Sequence, residues 1–325
     1  MQPAFSVIFL TTLMGMGQGV FLAVYTKQVY SVLNVLQQSS NNDFYVVGSG
    51  AALLLLILGL IASFFHLGHP ERAWRAAAMW RTSWLSREVI MLPIVMLLIA
   101  CYGLLHYLNW NFSLVTIGAV EVSLTLLIGA FATIAVFLLY IATGMIYACL
   151  KFLQEWHSPL TVINYILIGA VSGFMLTIVI SFYTQAEMVN FFVGWSLVLL
   201  CFALLFRLAS LYRNKRLRPV STVQTAVGIR HNRIKQKSMG FMGGSVNTRD
   251  FFHGKTQFFI RSVKQLFIML LFIIPLISLV LVFVSPSIEI ITVAVVSMIL
   301  GLLAERWYFF ADANHPQNIY YQVIG

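Results

Sequence analysis

The chain is broken into long apolar runs, each about as long as a bilayer's hydrocarbon core is thick, and this spacing constrains its fold more than anything else. Taking about 20 apolar residues as one crossing, the sequence holds eight: 4–25, 45–66, 86–107, 118–149, 161–182, 189–211, 263–284 and 288–310. Lipid offers no partner to a free backbone N–H or C=O, so such runs cross as helices. Only 9% of the 325 residues are charged, against about 25% in an ordinary soluble domain. The expectation is an all-α, polytopic membrane bundle of eight transmembrane helices, one integral membrane domain over residues 1–325. The fourth run is the odd one. Its apolar stretch from Phe112 to Leu150 is too long for a single crossing, so Phe112 to Glu121 reads as an interfacial lead-in, with two short helices or a re-entrant segment as alternatives.

Basic residues orient the bundle. Lys27 falls in the first connection, Arg72, Arg75, Arg81 and Arg87 in the second, Lys151 in the fourth, thirteen more between Arg207 and Lys264, and Arg306 at the end of the last run. With both termini cytoplasmic, 19 of the 20 Lys and Arg residues face inward, as the positive-inside rule requires. The net charge of +10 therefore records topology, and no nucleic-acid partner is expected. Cys101, Cys149 and Cys201 stand isolated in apolar runs, so the chain is expected to carry no disulfide framework and no iron–sulfur cluster of its own. The opening Met1-Gln-Pro-Ala-Phe5 lacks a basic n-region and a cleavage site, so the first run reads as a retained helix. The one long polar stretch is a basic cytoplasmic loop at 212–261. Its Arg213–Arg218 part reads as a solvated segment drawn to membrane lipid. The rest interleaves Gly with Arg230, His231, Phe241, Met242, Phe251 and Phe252 and reads as a surface for a partner protein.

Polar chemistry concentrates between His66 and Glu88, where two His, two Glu, four Arg and three Trp fall within 23 residues. Pro70 can open a helical turn with His69 as cap, which would make Glu71 and Arg75 neighbours at i,i+4. Ser83 can cap the next helix, placing Glu88 near its first turn at the membrane boundary. Each candidate has two readings. His66 is either a satisfied structural imidazole or a group that hydrogen-bonds and exchanges protons with a ligand. Glu88 is either favoured by the helix dipole or a proton acceptor for a lipid-soluble substrate. Arg72, Arg75 and Arg81 read as topogenic, and Arg72 also as an anchor for a partner or a headgroup oxygen. His66-x-x-His69 has no third ligand at useful spacing, so no metal site is expected. Trp74, Trp80 and Trp84 fit an interfacial belt. Gly15-x-Gly17-x-Gly19 in a spanning helix reads as a close-packing surface, and Glu121 and Glu187 as solvated boundary residues. Mid-span ionisable groups, which a secondary transporter would need, are almost missing from this reading. A transporter is thus a rival, as are a haem cytochrome and an anchor without any ligand site.

At His66-Leu-Gly-x-Pro70, Arg72-Ala73 and Ser86-x-Glu88 the chain resembles the DmsC family, the membrane anchor subunits of dimethyl sulfoxide reductase. Further likeness runs through Ile146-Tyr147, Trp156-x-Ser158-Pro159, Gly228-Ile-Arg-His231, Gly240-Phe-Met-Gly-Gly244, Phe251-Phe-His-Gly254, Glu305-Arg-Trp-Tyr-Phe-Phe310 and His315-Pro-Gln-Asn318. The resemblance implies an anchor in a bacterial inner membrane that holds a molybdopterin catalytic subunit and a four-cluster iron–sulfur subunit. It also implies electron exchange with quinone, ubiquinone or menaquinone, and no haem. The family's quinone-linked His corresponds to His66 and its acidic residue to Glu88, while Arg72 matches the Arg after the Pro. His69 sits at a variable position and inherits no role. In the dimethyl sulfoxide reductase type, the hairpin face lies outside and quinol is oxidised. The charge count here puts that face inside, which favours the branch that anchors cytoplasmic sulfite dehydrogenase.

Overall fold

The computed structural model describes residues 1–36, 42–117, 120–218, 221–234 and 253–316, and it is helical almost throughout. Among these residues eight helices are long and apolar enough to cross a membrane: α1 Phe5–Val32, α2 Asp43–Phe64, α3 Trp84–Tyr107, α4 Leu124–Ala148, α5 Pro159–Thr184, α6 Val189–Lys215, α7 Gln257–Val284 and α8 Ile288–Ala311. They match the eight runs read from hydropathy. α1 to α4 pack as one group and α5 to α8 as another, joined chiefly through α1 against α5. That seam explains the glycines: a Cβ on Gly173 would lie 2.0 Å from the carbonyl carbon of Gly19, and one on Gly19 would lie 2.3 Å from the carbonyl oxygen of Gly169. Without side chains the two backbones touch, which van der Waals packing in lipid rewards. α7 contains a π-helical turn at Met269–Ile273 just before Pro275. The turn makes room for a proline ring that would otherwise meet the carbonyl one turn back.

The amine of Met1 donates to the carbonyl of Ala313 at 2.8 Å, so the start of α1 and the end of α8 share one face, here called the terminal face. The connection α2–α3 lies on the same face. Two local expectations change. The lead-in before α4 is a β-hairpin, β1 Ser113–Ile117 paired with β2 Val120–Ser123, whose strands satisfy each other's backbone at the opposite face. Residues 70–79 form a 3₁₀ helix; three residues per turn leaves i and i+4 out of line, and Glu71 meets His69 at 3.0 Å and Arg72 at 3.6 Å instead of Arg75. The spans also bury ionisable groups towards their ends. Lys27, Glu88, His106, Arg207, Glu305 and Arg306 are all buried within helices.

Candidate functional site

The Ser83 hydroxyl accepts from the amide of Ser86 at 3.3 Å and so starts α3 where the sequence required. That start fixes Glu88 one turn into the helix on its inward side, where it is 7% exposed. Pro93 follows one turn later and leaves the Val89 carbonyl without an amide partner. Glu88, Val89 and Pro93 form one wall of a cleft of about 290 Å³ at the terminal face. Leu10 and Met14 of α1, Leu60 and Phe64 of α2, and Ala73 and Trp74 of the 3₁₀ segment supply the other walls, with His66 at the end of α2. Apart from the Ser63 hydroxyl, which donates to the Leu60 carbonyl, the rest of the lining is apolar, and the volume is at the small end of ligand pockets.

Two titratable groups therefore face an apolar space. His66, exposed at the end of α2, is still held below the ordinary imidazole value because partial burial disfavours its charged form, and a neutral ring can donate from one nitrogen while accepting at the other. Glu88 accepts a hydrogen bond from the Thr143 hydroxyl of α4 at 2.5 Å. Of the three residues singled out for ligand chemistry, the cleft gathers His66 and Glu88. Arg72 does not line it: its side chain is exposed and pairs with Glu71 outside.

Around the cleft mouth the 3₁₀ segment is fully solvent-facing on its outer side. Trp74 and Trp80 are exposed, with the Arg75 and Arg81 guanidinium groups over their respective rings. Arg87 donates to the carbonyls of Trp80 and Arg81 and pins the segment to α3. Arg230 and His231 are exposed beyond a short helix at Val223–Val227. Phe241, Met242, Phe251 and Phe252 lie outside the described residues. No group of three or more His, Cys, Asp or Glu side chains is placed to hold a metal ion among the described residues.

Sequence reading missed the site's second layer. Arg207 of α6 pairs with Glu305 of α8 at 2.7 Å, and Arg306 lies 3.5 Å from the same carboxylate, all three being at most 5% exposed. Arg306 also sits 4.0 Å from the centre of the Tyr165 ring. Glu305-Arg306 stands near a helix end, where charge ordinarily reads as solvated. Its partner Arg207 is about a hundred residues away in the chain, so no local signal marked the burial.

A family model described as the DMSO reductase anchor subunit (DmsC) matches residues 1–321. A sulfite dehydrogenase subunit from Allochromatium vinosum is 53% identical over 326 residues, spanning 100% of both chains.

Proposed function

The chain belongs to the DmsC family of membrane anchor subunits, and on that premise we propose that its terminal-face cleft is where quinone meets the electrons of the attached oxidoreductase. The observation that supports this reading most is the pairing of one buried carboxyl, Glu88, with one imidazole, His66, in a largely apolar cleft at the terminal face. An apolar wall suits the quinone ring and its lipid tail, while the two polar groups can reach its oxygens. Reducing a quinone takes two electrons and two protons. Electrons arrive from an iron–sulfur subunit seated on the exposed 3₁₀ segment, with Arg72, Arg75, Arg81, Arg230 and His231 as its basic contacts. A molybdopterin subunit lies beyond it. Glu88 passes one proton to a quinone oxygen. His66 holds the other oxygen and relays a proton to it, donating from one ring nitrogen as it takes up a proton from solvent at the other.

Likeness to a sulfite dehydrogenase subunit and the inward charge bias together support a cytoplasmic catalytic dimer on a bacterial inner membrane, with electrons leaving sulfite for quinone. The reverse direction, quinol oxidation by a dimethyl sulfoxide reductase type of partner, is the alternative, and the charge bias weighs against it. Substituting Glu88→Gln in the whole complex should lower quinone-linked turnover at least a hundredfold, in line with loss of a positioned proton donor, while an artificial electron acceptor is still reduced at the native rate. Native quinone turnover in that variant would refute the assignment.

A further inference from the structure

Beyond the Thr143 hydroxyl that bonds Glu88 lies a small internal space of about 10 Å³ lined by Thr12, Gln18, Tyr140, Thr143, Tyr165 and Arg306, sharing Met14 with the cleft. That is the room of about one water molecule. The Thr12 hydroxyl and the Gln18 carbonyl oxygen are buried with no hydrogen-bond partner among the described residues. The Tyr140 hydroxyl spends its proton on the Gly15 carbonyl at 2.7 Å and turns its lone pairs inward. Thr143 spends its proton on Glu88 and has lone pairs left to accept. A water there finds acceptors in Gln18, Tyr140 and Thr143 and donors in Thr12 and Arg306, and buried polar groups are rarely left unpaired.

The charges around this space do not balance by themselves. Arg207 and Arg306 carry two positive charges and Glu305 one negative, and Glu305 holds Arg207 at 2.7 Å but Arg306 only at 3.5 Å. Arg306 is the under-compensated member. An ionised Glu88 would bring the four residues to neutrality, and a buried cation without a counter-charge is costly. Resting on the assignment of Glu88 above, we propose that Arg306, acting through one water held by Thr12 and Gln18 and through the Thr143 hydroxyl that bonds the carboxyl, is the counter-charge of Glu88 and sets how readily that carboxyl yields its proton to the quinone. Arg306 is a positioning residue in this account, since it never touches the quinone. Of the other titratable groups, His66 lines the same cleft, Tyr147 of α4 and Tyr165 of α5 lie near enough to interact with the Glu88 charge, and Tyr140 of α4 lines the small space beside Arg306. Arg87, its neighbour in the chain, is committed outward to backbone carbonyls.

Substitutions of opposite charge sense test this in the intact complex. Arg306→Gln removes the counter-charge and should move the protonation of Glu88 to higher pH by about one unit or more, whereas Glu305→Gln uncovers further positive charge and should move it to lower pH by a similar amount. Two readouts apply: the pH at which quinone-linked turnover is half-maximal, and the infrared band of the protonated Glu88 carboxyl, identified by its loss in Glu88→Gln. Arg306→Lys, which keeps the charge, should restore most of the native pH, and Thr143→Val should weaken the response to Arg306→Gln. Artificial-acceptor activity and the amounts of the bound partners report whether each complex assembles. Shifts of the same sign, or none, from Arg306→Gln and Glu305→Gln in assembled complexes would overturn the proposal. The infrared arm reads the coupling even if Glu88→Gln leaves quinone turnover native, so the two assignments fail separately.

Discussion

The two ends of the first four helices each hold a histidine near a helix terminus and a glutamate, yet they are built for different contents. At the terminal face, His66 and Glu88 look into an apolar cleft of about 290 Å³. At the opposite face, His106 and Glu121 line a larger cavity of about 490 Å³ whose other walls, Val32 apart, are the polar Gln28, Ser31, Asn34, Asn42, Tyr45, Asn111 and Ser123. There the Tyr102 hydroxyl donates to the Gln28 side-chain oxygen at 2.8 Å, Gln28 donates to Thr125 at 2.8 Å, and Thr125 donates to Asn111 at 2.7 Å. A space lined by amides and hydroxyls suits water, and a space lined by Leu, Met and Trp suits a lipid-soluble ring. The residue types that carry chemistry are thus shared, and their surroundings decide what they can act on.

Between the ends runs a waist. On α1 the terminal-face polar set ends at Gln18 and the opposite set begins at Lys27 and Gln28, about 15 Å further along the helix, with Phe21, Leu22, Ala23 and Val24 buried between them. Gly19 against Gly173 closes that waist. The largest effect is expected here: Gly173→Leu must push α5 away from α1, a cost of about 3 kcal/mol or more, and should leave little folded anchor in the membrane. Native yield and thermal stability for that variant would show that the backbones do not meet as closely as described.

Within folded protein, the comparison sharpens at the two histidines. His66→Asn should lower quinone-linked turnover about tenfold and flatten its fall at acid pH. The sign follows from partial burial, which disfavours the charged ring: the relay needs an imidazole nitrogen free to accept, so the native rate is sustained through neutral pH and drops as the ring becomes charged. His106→Gln, at the other end, should change that rate less than about twofold at every pH, because its cavity is walled off from the cleft by packed side chains. A large loss from His106→Gln would mean that the waist does not separate the ends and that the polar cavity takes part in turnover.

Much of this was legible in the sequence, and the boundary is physical. Eight crossings could be read because their length is fixed by bilayer thickness, and Gly15-x-Gly17-x-Gly19 announced a close contact because only small residues let backbones touch in lipid. His66 and Glu88 were legible as candidates because both fall at span ends beside a Ser cap and a Pro turn. The Arg207–Glu305–Arg306 set was not, since each residue lies near a helix end, where a charge is cheap in isolation, and only the tertiary fold brings them together in a dry interior. Lys27 was read as a loop cation, yet it lies buried over the Phe44 and Tyr45 rings; aromatic faces are a partner that linear spacing does not reveal. The hairpin at 113–123 escaped because its apolar residues continue the run of α4 without a break in composition. Arg72 was grouped with His66 and Glu88 through resemblance alone, and 3₁₀ winding turns it outward.

The smallest effect expected concerns the rim of the terminal-face cleft. Arg75 and Arg81 are exposed and each rests over its own Trp ring, neither is tied to the bundle by an ion pair among the described residues, and their charge is available to a partner. Rim charges of this kind act on encounter more than on the finished contact. Arg75→Glu with Arg81→Glu should therefore slow reassociation of the stripped anchor with its catalytic partners by about tenfold at low salt, with the difference shrinking towards about twofold as ionic strength rises and the Debye length falls below about 8 Å. Quinone analogue binding to the anchor should be unchanged, because neither side chain lines the cleft. A salt-independent loss of association, or weakened analogue binding, would assign these arginines to the fold of the 3₁₀ segment and leave the docking surface to be sought on the opposite face.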